Sequence, residues 1–215
     1  MKLGPGSRQV VVRLSDPPAS QHAPESGAVE SVQEAAVLLP EATLARLWSR
    51  ESLERLARAY WRYLHRVSFG LLRVVYETDA RTVVLLVRPL ALLRFRAPHY
   101  RTTASGGSVE WPIERGLLVA KEGRGEGYLR IAIERDPGPA PSGHARLGVH
   151  VAVRNFYPWL RGGGRFARFG TWLYDVTQLR IHVIIARGFL RSLARLDLPP
   201  SRVGALRGEI SADDA

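Results

Sequence analysis

The 215-residue chain contains no cysteine. That excludes disulfides, thiolate metal sites and cysteine nucleophiles. Lysine is nearly missing as well: Lys2 and Lys121 are the only two, and the rest of the 31 basic residues are arginine. Such a bias, beside abundant Ala, Gly and Pro, is what GC-rich coding produces. The net charge of +11 is therefore a weaker sign of a nucleic-acid or anionic-membrane partner than its size suggests. Arginines interrupt every apolar run, so none is long enough to span a bilayer. The opening residues, MKLGPGSRQVVVRLSDPP, lack the apolar core and small-residue cleavage site of a secretory leader, which makes a cytoplasmic location the expectation. No GxSxG, HExxH, Walker or CxxC pattern occurs. No catalytic residue, metal or cofactor is expected from the sequence.

What is present is a folded composition, with 46% hydrophobic residues in a length that suits one domain. Residues 1–36 read as a flexible N-terminal segment, with a short strand at 9–14 (QVVVRL) and a Pro/Ser/Ala-rich linker over 16–31. Residues before Val37 are accordingly expected to contribute little to folding. A single domain is expected over 37–198 and a flexible tail over 199–215. After Pro40, apolar residues recur at helical spacing: Leu44, Leu47 and Trp48, then Leu53, Leu56, Ala57, Tyr60, Trp61 and Leu64. Ser49 between the two sets is a natural N-cap, with Glu51 favourable in the first turn that follows. This is one long amphipathic helix or two short ones.

From Val67 to Arg154 the period changes to two, and glycines and prolines punctuate the chain. Strands are expected at 69–76, 82–88, 92–96, 100–103, 108–114, 117–121, 127–134 and 145–154. Leu147, Val149, Val151 and Val153 alternate with Arg146, His150 and Arg154, and Leu129, Ile131 and Ile133 with polar neighbours. One apolar and one wet face mark an antiparallel sheet covered on one side. The glycine-rich run Gly123–Gly127 lies between two strands, so it reads as a hairpin turn and not as a phosphate loop.

The stretch from Arg165 to Leu196 carries apolar residues at steps of three and four, among them Trp172, Val176, Val183, Leu190 and Leu193. As one helix it is roughly 45 Å long. The β-branched run 179–185 and Gly188 leave a helix–strand–helix open as the alternative. Helices, then antiparallel strands, then a long closing helix resemble the START-like superfamily, which includes polyketide cyclases and lipid carriers. VEWPIERGLLVA, GYLRIAIER and IHVIIARGFLRSLARLDL are similar to stretches of its actinobacterial-type members. The resemblance covers residues 41–196. It implies an α+β helix-grip fold, in which a curved antiparallel sheet grips the C-terminal helix over an apolar cavity. Many members open on a long strand, and here only QVVVRL is available to supply it.

The resemblance implies a hydrophobic small molecule or lipid as the partner. The cavity would be lined by Trp111, Ile113, Leu129, Ile131, Val149, Val151, Trp172, Val176 and Val183; the same residues could instead fill a solid core. Asp175 on the closing helix is either a polar anchor raised in pKa by burial or a first-turn residue favoured by the helix dipole. Arg161, Arg165 and Arg168 cluster around a glycine run before that helix and could hold an anion, or could simply be solvated. His150 and His182 lack partners at metal-ligand spacing. Phe156, Tyr157 and Trp159 form either a lid, a membrane-facing wedge or a packed corner. A cyclase or dehydratase using the same cavity, and a peripheral protein binding anionic membrane or nucleic acid through its arginine-rich last helix, are the alternatives. Diffuse charge implies only weak, non-specific anion binding.

Overall fold

The computed structural model describes residues 10–15, 19–22, 29–85, 91–119, 124–156 and 183–195. In chain order they form β1 (Val11–Leu14), β2 (Ala19–His22), β3 (Val29–Pro40), α1 (Glu41–Leu47), α2 (Arg50–Val67), β4 (Leu72–Tyr76), β5 (Ala80–Leu85), β6 (Ala91–Arg96), β7 (His99–Thr102), β8 (Gly106–Arg115), β9 (Tyr128–Arg135) and β10 (His144–Phe156). A last helix, α3, covers 183–192 of the described residues and tightens into a 3-10 turn at Leu193–Arg195. All strand pairs are antiparallel, in the order β1-β3-β10-β9-β8-β6-β5-β4, with β2 beside β3 and β7 beside β8. This is an α+β helix-grip fold. Among the described residues no helix is long and apolar enough to cross a membrane.

The helices and central strands follow from local chemistry. The Ser49 side chain accepts the amide of Ser52 at 3.1 Å and so starts α2. That bond satisfies one of the amides that a helix start leaves without a partner. Leu53, Leu56, Ala57, Tyr60, Trp61 and Leu64 then fall on one buried stripe. Along β10, Ala145, Leu147, Val149 and Val151 are buried while Arg146 and His150 turn outward, toward Asp136 and Glu34 respectively. The two layers meet in an aromatic cluster. Trp61 of α2 contacts Trp111 of β8 at 5.2 Å and Phe95 of β6 at 5.4 Å, and Tyr60 meets Phe189 of α3 edge-on at 5.2 Å.

α3 packs on α2 through its one glycine. A Cβ on Gly188 would lie 2.0 Å from the Tyr63 hydroxyl, so the helix tolerates glycine there because Tyr63 occupies the space. Residues 183–185 are helical, which excludes a strand for that part of the 179–185 run.

Three expectations are corrected. First, the Pro/Ser-rich stretch is not all linker: Ala19–His22 pairs with Val29–Val32. Val29–Pro40 is the long first strand of the grip, paired with β10 along its length, and QVVVRL only borders it through Val11–Leu14. The boundary expected at Val37 thus cuts through a central strand. Second, the strand expected at 117–121 does not begin at Leu117: Leu117 and Leu118 are in a turn and Val119 makes a single bridge, while 120–121 lie outside the described residues. Gly116 explains the turn, with φ +153° and only 2.1 Å between an added Cβ and the Leu92 carbonyl oxygen. Third, Phe69 does not open a strand. It has φ +53° and is 95% exposed at the turn after α2.

Candidate functional site

A cavity of about 370 Å³ lies beneath the corner between α1 and α2. Its floor comes from Val37 and Leu39 of β3, Ile133 of β9, and Leu147 and Val149 of β10. Leu44 and Leu47 of α1, with Leu53 and Leu56 of α2, form the roof, and Leu193 of the 3-10 turn closes one side. Trp48, Ser49, Arg50, Ser52 and the β7–β8 turn (Thr102, Thr103, Gly106 and Gly107) surround the mouth. The site is therefore apolar inside and polar at its rim, with Ser49, Arg50, Thr102 and Thr103 exposed.

Each wall has a local cause. β3 and β10 alternate, so Val37, Leu39, Leu147 and Val149 all face inward. The β7–β8 hairpin comes close because Gly106 lies against β9; a Cβ there would sit 2.9 Å from the Ile133 carbonyl oxygen. The helix is interrupted at Trp48–Ser49, and the residues of this break line the cavity together with Leu44, Leu47, Leu53 and Leu56 on either side of it.

Beside the mouth, the Arg50 guanidinium sits 5.8 Å from the centre of the Tyr100 ring. Burial, reinforced by the negative charge of Glu54, pushes the Tyr100 phenol up to about 12, against the opposing pull of Arg81 and Arg50. Burial likewise raises the Tyr60 phenol. Both hydroxyls are neutral at physiological pH. Glu54 is buried on α2 and pairs with Arg58 one turn along the same helix at 3.7 Å. Among the described residues there is no cluster of three metal-ligating side chains.

Of the residues expected from the sequence to line a pocket, Val149 lines this cavity. Trp111, Ile113, Leu129, Ile131 and Val151 are buried in the core, where Trp61 fills the space over Trp111. Val183 is half-buried on α3 and does not reach the cavity. Trp172, Asp175, Val176, Arg161, Arg165 and Arg168 lie outside the described residues, as do His182, Tyr157 and Trp159. The lining that sequence reasoning did not find comes from β3, from the α1–α2 corner and from the glycine pair of the β7–β8 turn. The helical spacing of Leu44, Leu47, Leu53 and Leu56 marked them as inward-facing, but nothing in it separates a cavity wall from a filled core.

No family model and no curated protein matches the sequence. Solved structures give remote likenesses. Human STARD10 is 7% identical over 81% of this chain and 73% of its own, with a TM-score of 0.28. An uncharacterised protein from Rhizobium leguminosarum is 13% identical, covering 76% of this chain and 98% of that one, with a TM-score of 0.26. A protein from Geobacillus kaustophilus is 10% identical, covering 76% and 95%, also with a TM-score of 0.26. The α+β helix-grip fold is read from this chain's own strand order and helices.

Proposed function

We propose that the protein binds a hydrophobic small molecule or lipid in the cavity under the α1–α2 corner, with the ligand's polar end at the mouth. The observation that carries this reading is the cavity itself. Its volume of about 370 Å³ falls in the range of small-molecule sites, and its interior is almost wholly aliphatic. Arg50, Ser52, Thr102 and Thr103 offer a cation and three hydroxyls at one end only, which favours an amphiphile over a uniformly apolar guest. The absence of a convergent acid–base pair among the described lining residues favours binding over a cyclase or dehydratase reaction.

Replacing Val149 by tryptophan tests the reading. In a filled core such overpacking costs about 1–3 kcal/mol. Above an open cavity the expected cost is smaller, while uptake of the fluorescent probe ANS is abolished. Native mass spectrometry of the purified parent protein, followed by organic extraction, should recover an apolar ligand. A parent protein that takes up no probe and yields no extractable ligand sinks the proposal.

A further inference from the structure

From Arg55 to Tyr76 the chain has no acidic residue, and this stretch makes the turn where α2 ends and β4 begins. The turn is built to hold one apolar side chain in water. The Gly70 amide donates to the His65 carbonyl at 2.9 Å, the Phe69 amide to Arg66 at 3.1 Å and the Leu71 amide to Ser68 at 3.0 Å. The Ser68 hydroxyl donates to the His65 carbonyl and accepts the Leu72 amide, each at 3.0 Å. Inside this lattice Phe69 has φ +53°, a conformation that costs a bulky L residue energy, and its ring is 95% exposed. Leu71, 48% exposed, and Tyr76, 52% exposed, flank it. Glycine would fit the backbone at position 69 without strain and would hide no phenyl ring from water. Folding thus explains neither the residue nor its exposure.

Around Phe69, a shallow concavity is lined by Arg62, Arg66, Arg73 and His65, all exposed. None of the three arginines makes an ion pair with a described residue. We propose that this turn docks the protein on an anionic lipid bilayer, with Phe69 inserted among the acyl chains and Arg62, Arg66 and Arg73 on lipid phosphates. The charge complementarity selects the occupant. Guanidinium groups bind phosphate oxygens in pairs, and an aromatic ring between them suits the boundary between headgroup and hydrocarbon. A protein partner would have to match an isolated ring with a pocket and three arginines with a like number of acids. The bilayer offers both everywhere on its surface. The patch lies at the far end of α2 from the cavity mouth, so it stands independently of ligand binding.

Flotation of the full chain with vesicles tests the proposal. Binding is expected to vesicles with about 30% phosphatidylserine at roughly 0.15 M salt, and not to pure phosphatidylcholine. Phe69→Ala should weaken it on the order of tenfold, the share of an inserted aromatic ring. Arg62→Glu/Arg66→Glu/Arg73→Glu should abolish it. The same charge change at Arg96, Arg101 and Arg124, exposed elsewhere, should leave binding within about twofold if the contact is local. Phe69→Gly separates docking from misfolding, because it should lose binding while melting no lower than the parent. The proposal is overturned by equal losses in the two triple variants, which mean diffuse charge, or by binding that ignores Phe69. A parent that ignores both vesicles also overturns it, whether or not it self-associates through Phe69.

Discussion

At its N-terminal end α2 is capped by Ser49, flanked by Arg50 over the Tyr100 ring, and roofs an apolar cavity. At its C-terminal end the chain turns through Phe69, which is strained and almost fully exposed. The two ends are about 27 Å apart for a helix of this length. One conceals aliphatic surface that belongs to six separate elements; the other displays an aromatic ring on a turn built from residues 65–72 alone. A concealed site needs distant strands in register, whereas a displayed one needs only its own hydrogen bonds. The first should therefore fail with the fold, and the second should be removable without harm.

The largest expected effect comes from β3. A chain beginning at Val37 loses Val29–Ala36, which pairs with β10 from Gly148 opposite Ala36 to Phe156 opposite Val29, together with the buried side chains of Ser31, Gln33 and Ala35. The cavity floor at Val37 and Leu39 would then hang on a stub. The loss should exceed about 5 kcal/mol, the low end of a domain's total stability, and abolish the cooperative thermal melt. A truncated protein that still melts cooperatively would separate the cavity end from the sheet and break the comparison.

A smaller effect is expected where α3 meets α2. Gly188→Ala places a methyl group against the Tyr63 hydroxyl. It should cost about 1–3 kcal/mol through overpacking, against the roughly 1 kcal/mol that alanine gains over glycine in a helix. Tyr63→Leu in the same chain removes the hydroxyl and the ring, and should restore the helical gain. Urea melts of the two single variants and the double variant measure the coupling. Additive effects would mean that the helices are not in contact there.

The parts of the fold that could be read from sequence are those where one signal dominates. In α2 the spacing from Leu53 to Leu64 and the serine before it agree, and in β9 and β10 a branched apolar residue alternates with a polar one. β3 was illegible because its inward face runs from Ser31 and Gln33 to Ala35 before it becomes apolar, while Val32, Ala36 and Leu38 stand on the other face. Alternation of polarity vanishes when the buried side chains are themselves small or polar. Leu117 to Val119 looked like a strand for the opposite reason: apolar residues filled a turn whose geometry Gly116 dictates. The sequence points to a cavity between the sheet and the C-terminal helix, around Trp111, whereas the cavity described lies under the α1–α2 corner. Nothing local announces that Trp61, a residue of the helix stripe, fills that space and leaves the α1–α2 corner open. Packing of one element's large side chain into another's gap is a non-local fact, and periodicity does not carry it.

The smallest effects sharpen the contrast between the two ends most directly, because they should differ in sign. Ser49→Ala removes the hydroxyl that accepts the Ser52 amide, and an N-cap lost in this way costs about 1 kcal/mol. Phe69→Gly relieves the left-handed backbone and should gain about 1 kcal/mol, offset in part by the greater freedom of glycine in the unfolded chain. Sites this far apart with no shared partner are expected to add within about 0.5 kcal/mol, so the double variant should melt close to the parent. Chemical denaturation of the four proteins, read at constant slope, gives each difference. A gain at position 69 would mean that stability is given up at the turn to keep the ring in water, as a docking element requires. A loss there would mean that Phe69 supports the fold through contacts of its own, and the two ends of α2 would then differ only in exposure.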